Sequence, residues 1–202
     1  MADTGRAGKV RIERRLEIAR RGSDLLDRKQ RIMIDELERL QLNADRLRGA
    51  WRDLAREAAV WLARAESIDG PAAVAGSSPA APVRIEIRLG FAMGASYPVD
   101  AQCIVPDDCP LQGSSALVRA RGAHRAALDA AVRHAAAERA VELVSAELDA
   151  TRRRQSAVEN RYIPRLETRL ENVQRALDER ELEESLRVHW AADAAPAQVG
   201  GP

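Results

Sequence analysis

Residues 12–68 read IERRLEIARRGSDLLDRKQRIMIDELERLQLNADRLRGAWRDLAREAAVWLARAESI, and the spacing of their small and apolar side chains decides the fold. Steps of four and three alternate through Ile12, Leu16, Ala19, Ser23, Leu26, Gln30, Met33, Leu37, Leu40, Ala44, Leu47, Trp51, Leu54, Ala58, Trp61, Ala65 and Ile68, and only Ser23 and Gln30 are polar. A stripe that returns every ~3.5 residues drifts against a helix of ~3.6 per turn, so it stays on its partner only by supercoiling left-handed around it. The stretch is a coiled-coil seam.

Composition supports an extended helical protein. Charged residues make up 31% and aromatic residues 3% of the chain, which suits long helices better than a compact enzyme core. No apolar run approaches the ~20 residues that span a bilayer, and the N-terminus lacks the apolar centre of a signal peptide. The expectation is a cytoplasmic protein without direct membrane insertion.

Reading outward, residues 1–8 form a disordered N-terminus and residues 9–68 the first helix, about 90 Å long at 1.5 Å per residue. Asp69-Gly70-Pro71 stops it. Residues 69–82, small and punctuated by Gly and Pro, read as a flexible connector. The period then changes. Val83, Ile85, Ile87 and Leu89 alternate with Arg84, Glu86 and Arg88, the repeat of a half-buried strand. Gly90 and Gly94 offer a bend, and Ala101–Val105 a weaker returning strand, which makes 83–113 a hairpin region. Because a lone hairpin is marginal in water, it leans on the helices or on another protein.

The second helix spans residues 114–190, with Ser114 and Ser115 as N-cap candidates. Its seam reads Leu128, Val132, Val141, Val144, Leu148, Thr151, Gln155, Val158, Tyr162, Leu166, Leu170, Val173 and Leu177. From Val158 to Leu170 the steps are four, four and four, a stutter that unwinds a coil locally. Pro164 lies inside it and removes the hydrogen bond to the carbonyl of Asn160, giving one bent helix or a break and a third helix. Residues 191–202 read as a disordered tail. The fold class is therefore all-α: a long antiparallel two-helix coiled coil with a small central β-hairpin. In that register Ile68 lies near Leu117, and the first helix is used up when the second reaches about residue 175. The rest overhangs, with Asp178, Glu179, Glu181, Glu183 and Glu184 crowding its last turns against the helix dipole.

The net charge of +1 conceals an asymmetry. Residues 9–31 hold nine bases against four acids, and residues 152–175, laid beside them, hold seven arginines against three acids. This basic collar is either a solvated arginine-rich face or a surface that meets an acidic partner. No phosphate loop, GxGxxG or HExxH occurs, and His124, His134 and His189 read as surface histidines. Cys103 and Cys109, six apart without a histidine companion, make a poor zinc site; they are two thiols or, less simply, a disulfide. No catalytic, cofactor or metal site is expected.

Two blocks carry a resemblance. RRLEIARRGSDLLDRKQRIMIDEL near the N-terminus and ENRYIPRLETRLENVQRALDERELEESLRVHW near the C-terminus are similar to the two ends of the D subunit of the V-type and archaeal-type rotary ATPases. The middle follows that family only in outline, arginine stands where the family commonly has lysine, and RVHW replaces a further basic cluster. The resemblance implies a non-catalytic central rotor shaft within a ring of catalytic and regulatory subunits, with the F subunit bound to its side and its base on the subunit that couples it to the membrane rotor ring. It implies a peripheral location at the membrane and torque passed between ATP turnover and proton or sodium movement. On that reading Arg11, Arg14, Arg15, Arg20, Arg21, Arg161, Arg165 and Arg169 contact partners, and Pro164 sets a curvature. The alternatives are a stand-alone coiled-coil adaptor or chaperone-like clamp, and a nucleic-acid binder, which the lack of stacking aromatics in the collar disfavours.

Overall fold

A computed structural model describes residues 5–79, 81–106 and 113–193. In chain order they form α1 (Arg6–Gly76), β1 (Arg84–Ala92), β2 (Ala95–Ile104), α2 (Ser115–Ala157), a π-helical turn (Val158–Tyr162) and α3 (Ile163–Asp193). The protein is predominantly α-helical, with one two-stranded antiparallel sheet among the described residues. It divides into two compact units: a terminal unit built from the chain up to Arg28 and from Thr151 onward, and a middle unit, Lys29–Ala150.

Along α1 every rung from Ile12 to Ala65 is buried or half-buried, whereas Ile68 is exposed. The helix starts at Arg6, three residues earlier than expected, with the Lys9 amide donating to the carbonyl of Gly5 at 3.1 Å. Residues 6–8, expected to be disordered, are therefore helical; residues 1–4 and 194–202 lie outside the described residues. Helical geometry breaks at Gly70 (φ 81°, ψ 163°), a conformation open to a residue without Cβ. Pro71 then opens a further helical run to Gly76, since its missing N–H costs nothing at a first helical position. Much of the expected flexible connector is thus helix.

In the middle unit, α1 and α2 enclose two cores. Met33, Leu40, Tyr97, Ala140, Val144 and Leu148 form one, and Ala65, Ala116, Leu117 and Ala120, with Trp61 and Val74 against them, form the other. Ser114 caps α2 as expected, its Oγ accepting the Leu117 amide at 3.3 Å, while its own amide donates to Asp69 at 3.1 Å. The first half of the α2 seam differs from the sequence reading. Leu128 is exposed and Val132 only half-buried, and the buried positions are Ala116, Leu117, Ala120, Ala127, His134, Ala137 and Ala140. His134, expected on the surface, is 7% exposed and stacks on Trp51 with ring centroids 5.4 Å apart.

The hairpin turns at Met93 and Gly94, both at positive φ (48° and 96°), the geometry that matches the twist of a two-residue connection. Its second strand is longer than expected, Ala95–Ile104. The apolar row of β1 also departs from the half-buried strand read from its alternation. Ile85, Ile87, Leu89 and Phe91 are 52–73% exposed, and the sheet instead packs through β2, where Ala95, Tyr97, Pro98 and Ala101 are buried, with half-buried Ala92 beside Tyr97. Cys103 is a half-buried free thiol; Cys109 lies outside the described residues.

In the terminal unit, Ile12, Leu16 and Ala19 of α1 pack on Leu166 and Val173 of α3, with Val158, Ile163, Leu170 and Leu177 against them. Arg6 pairs with Glu181 at 2.9 Å, so the overhang begins beyond Glu181 rather than near residue 175. Every residue from Leu182 to Ala191 is exposed.

Candidate partner interface

The stutter of the sequence becomes a specific backbone object. At Val158–Tyr162 the helix widens, and the amide of Ile163 donates to the carbonyl of Val158, five residues back. The extra residue carries the seam from Val158 to Ile163, and from there steps of three and four run through Leu166, Leu170, Val173 and Leu177. Tyr162, expected in the seam, is turned out and 46% exposed. Pro164 follows directly on this turn as the second residue of α3, and α2, the π-turn and α3 run on without an intervening loop.

A polar layer sits beside this turn. Ser23, one of the two polar rungs of α1, is buried and donates to Glu159, which also accepts from Gln155 Nε2 at 2.8 Å. These bonds, the one from Ser23 first, hold the Glu159 carboxyl below its ordinary range. Thr151, also fully buried, has a hydroxyl without a partner among the described residues.

All nine collar residues singled out from the sequence lie in the terminal unit, and all are exposed. The fold uses some of them. Arg20 reaches Glu167 at 2.7 Å, joining α1 to α3, and Arg21 pairs with Glu17 along its own helix. Arg11, Arg15 and Arg169 are engaged as well. Arg14, Arg161 and Arg165 make no ion pair or hydrogen bond among the described residues. Arg161, Arg165 and Arg169 follow one another at intervals of four and so share one side of the chain as it passes Pro164.

Exposed apolar side chains lie among these charges, and the sequence reading missed them: Ile18 (62% exposed), Leu25 (63%) and Tyr162. Ile18 and Leu25 are seven residues apart and both flank the seam, a signal available in the sequence but hidden beside the stronger ladder. With exposed guanidinium groups and apolar contacts interleaved, the surface is suited to an acidic protein face with apolar elements. Among the described residues no helix is long and apolar enough to cross a membrane.

Residues 9–193 match the family model of the ATP synthase D subunit. The V-type ATP synthase D subunit of Thermus thermophilus is 29% identical over 178 residues, covering 86% of this chain and 79% of the relative. The A-type ATP synthase D subunit of Methanopyrus kandleri is 28% identical over 191 residues, covering 91% and 82%. The V-type D subunit of Coprothermobacter proteolyticus is 28% identical over 192 residues, covering 88% and 87%.

Proposed function

The chain belongs to the D-subunit family of ATP synthases, and from that premise we propose that this rotary ATPase subunit is the central stalk of a V/A-type proton- or sodium-translocating complex. It carries torque between the catalytic hexamer and the membrane rotor ring and supplies no catalytic group. Its partners are the catalytic and regulatory subunits of the hexamer around the terminal unit, the F subunit at its side, and the subunit coupling it to the rotor ring. It works peripherally on the cytoplasmic side.

The observation that carries this reading is the set of exposed arginines that the terminal unit does not use for its own stability: Arg14, Arg161 and Arg165. Exposed ion pairs contribute only ~0–1 kcal/mol each. A ring of acidic side chains met by several such arginines is attractive in total, yet no single contact is strong enough to hold one angular position. That combination lets a stalk turn inside a close-fitting sleeve.

The test is a reversible tether in the assembled complex. Arg165→Cys, in a Cys103→Ser, Cys109→Ser background, is oxidised to a cysteine introduced in a hexamer subunit. ATP hydrolysis stops on oxidation and returns on reduction. Hydrolysis that continues at its full rate with the tether intact means that the chain does not rotate in the ring.

A further inference from the structure

The terminal unit has two unlike sides, and its seam defines them. Successive residues of a helix turn by ~100°, so the residue before each seam position lies on one flank and the residue after it on the other. Glu13 and Glu17 directly follow Ile12 and Leu16 of α1, and Glu167 and Glu171 directly follow Leu166 and Leu170 of α3. The rule has no exception: each of the eight acids in residues 12–28 and 158–178 comes immediately after a seam position. The residues immediately before the seam include Arg11, Arg15, Arg165 and Arg169, and no acid. Arg20, which follows Ala19, reaches Glu167 at 2.7 Å, so the two acidic flanks lie on one side of the helix pair. The arginine flanks therefore share the other side.

Apolar exposure segregates in the same way. Ile18 precedes Ala19, Leu25 precedes Leu26 and Tyr162 precedes Ile163, and they are 62%, 63% and 46% exposed. All three stand with the arginines. The positions after the seam hold only the acids, Arg20, Pro164 and Gln174. Arg11, Arg15 and Arg169 are also engaged within the chain, yet the side they belong to carries arginines and no carboxylate. One side is thus basic with apolar contacts, and the other is acidic without them.

This pairing of properties selects the occupant. A nucleic-acid backbone would use the arginines but leave Ile18 and Leu25 in water. A second copy could offer its acidic side, but that side has no large apolar side chain to set against Ile18, Leu25 and Tyr162, and such a head-to-tail contact does not close on itself. A protein surface with carboxylates set around apolar side chains matches both properties at once.

We propose that the side formed by Arg11, Arg15, Ile18, Leu25, Arg165 and Arg169 is the binding side of the terminal unit, taken by an acidic, apolar-bearing surface of one hexamer subunit, and that the carboxylate side is held off from the same surface. This rests on the stalk reading. It adds a dependence on angle: as the chain turns, a given subunit of the ring is attracted over one part of the turn and repelled over the opposite part.

The test places one charge on either side. Asn172 precedes Val173 and Gln174 follows it, and both are exposed. Each is replaced by Glu in the full chain, and binding to the catalytic hexamer assembled without it is measured at low salt, where charge is least screened. Asn172→Glu weakens binding by about ten-fold and Gln174→Glu by less than about two-fold. Ile18→Ser, Leu25→Ser also weakens it by about ten-fold. Unfolding temperatures of the isolated variants stay at the wild-type value. Equal effects of the two Glu substitutions overturn the two-sided surface while leaving the stalk reading intact. Failure of the wild-type chain to bind any ATPase subunit overturns both. Wild-type binding by Ile18→Ser, Leu25→Ser overturns the apolar-bearing occupant. Binding of the isolated chain to a DNA duplex as tightly as to the hexamer assigns the arginine side to nucleic acid instead, and self-association that Asn172→Glu abolishes assigns it to a second copy.

Discussion

Replacing Tyr97 tests how the hairpin is held. Its ring is 4% exposed in the core made by Met33, Leu40, Ala140, Val144 and Leu148, and its hydroxyl donates to Glu36. Truncation to Ala removes an aromatic side chain from a packed site, a change that costs ~3–5 kcal/mol. Tyr97→Phe removes only the bond to a carboxylate that Arg39 still holds, so its cost is ~1–2 kcal/mol. A two-stranded sheet is marginal by itself. That leaves the Cys103 amide on Asp129 and the small buried side chains of Ala95, Pro98 and Ala101 to hold the strands, and the sheet should detach before the helices unfold. Hydrogen exchange on the full chain reads this directly. In Tyr97→Ala the amides of β1 and β2 lose protection by at least a hundred-fold, while those of α1 around Met33 and of α2 around Val144 change by less than half as many powers of ten. Tyr97→Phe gives about ten-fold in the strands. Strand protection unchanged in Tyr97→Ala would mean that the hairpin is held by something other than this anchor. Equal loss in strands and helices would mean that the sheet is a cooperative part of the core.

The same anchor gives a pH dependence. The bond from Arg39, more than that from Tyr97, holds the Glu36 carboxyl below its ordinary value. Its contribution is thus complete above the unfolded carboxylate range and is lost as pH falls through the lower, folded value. Urea titrations between pH 6 and pH 3 should show a loss of stability that Glu36→Gln reduces. Ile163→Ala should cost ~1–3 kcal/mol and Tyr162→Ala less than about 1 kcal/mol, because the π-turn puts the first in the seam and the second in water; thermal unfolding of the two variants decides it. Gly90→Ala should cost ~1–3 kcal/mol, since a Cβ there runs into Cγ1 of Val99, and Val99→Ala should recover most of it. Arg14→Glu, Arg161→Glu, Arg165→Glu should leave the isolated chain's unfolding temperature nearly unchanged and weaken ATPase assembly most at low salt, where charge is least screened; unchanged assembly would remove these residues from the interface.

What the sequence revealed, and where it misled, follows from how sharply each residue type reports its environment. The ladder from Ile12 to Ala65 was legible because large apolar rungs stand among charged neighbours, and a helix face reads as one stripe or not at all. The first half of α2 was not, because alanine occupies both its buried and its exposed positions: Ala127 is buried and Ala126 is not. There the few large residues, Leu128 and Val132, drew the reading off the seam, and His134 was passed over although Trp51 opposite needs a flat partner. The stutter was visible as a count of fours, but counting alone does not say whether a helix absorbs the strain by unwinding or by admitting an extra residue. The structure shows the second, with Ser23 of α1 bonded to the Glu159 side chain within the widened turn. The collar was legible as charge, while the division between Arg20, which the fold pairs with Glu167, and Arg165, which has no such pair among the described residues, depends on which helix faces which and is written in no local pattern.

The hairpin is the most instructive failure, because the pattern was right and its inference wrong. Alternation in β1 states correctly that Ile85, Ile87, Leu89 and Phe91 share a face, and burial of that face is the usual consequence. The missing information was which strand meets the helices: β1 is exposed on both faces apart from half-buried Gly90 and Ala92, with Arg84, Glu86 and Arg88 in water as well as the apolar row, whereas β2 buries Ala95, Tyr97, Pro98 and Ala101. A sheet needing stability alone would turn its large side chains inward and gain about 1.5 kcal/mol or more for each one buried. This one forgoes that gain four times while fixing the strands with Tyr97, Glu36 and Asp129. The anchoring burial lies instead in the second strand, where Ala95, Tyr97, Pro98 and Ala101 are buried, so β1 is the outer strand and alternation within it could not report which strand faces the helices.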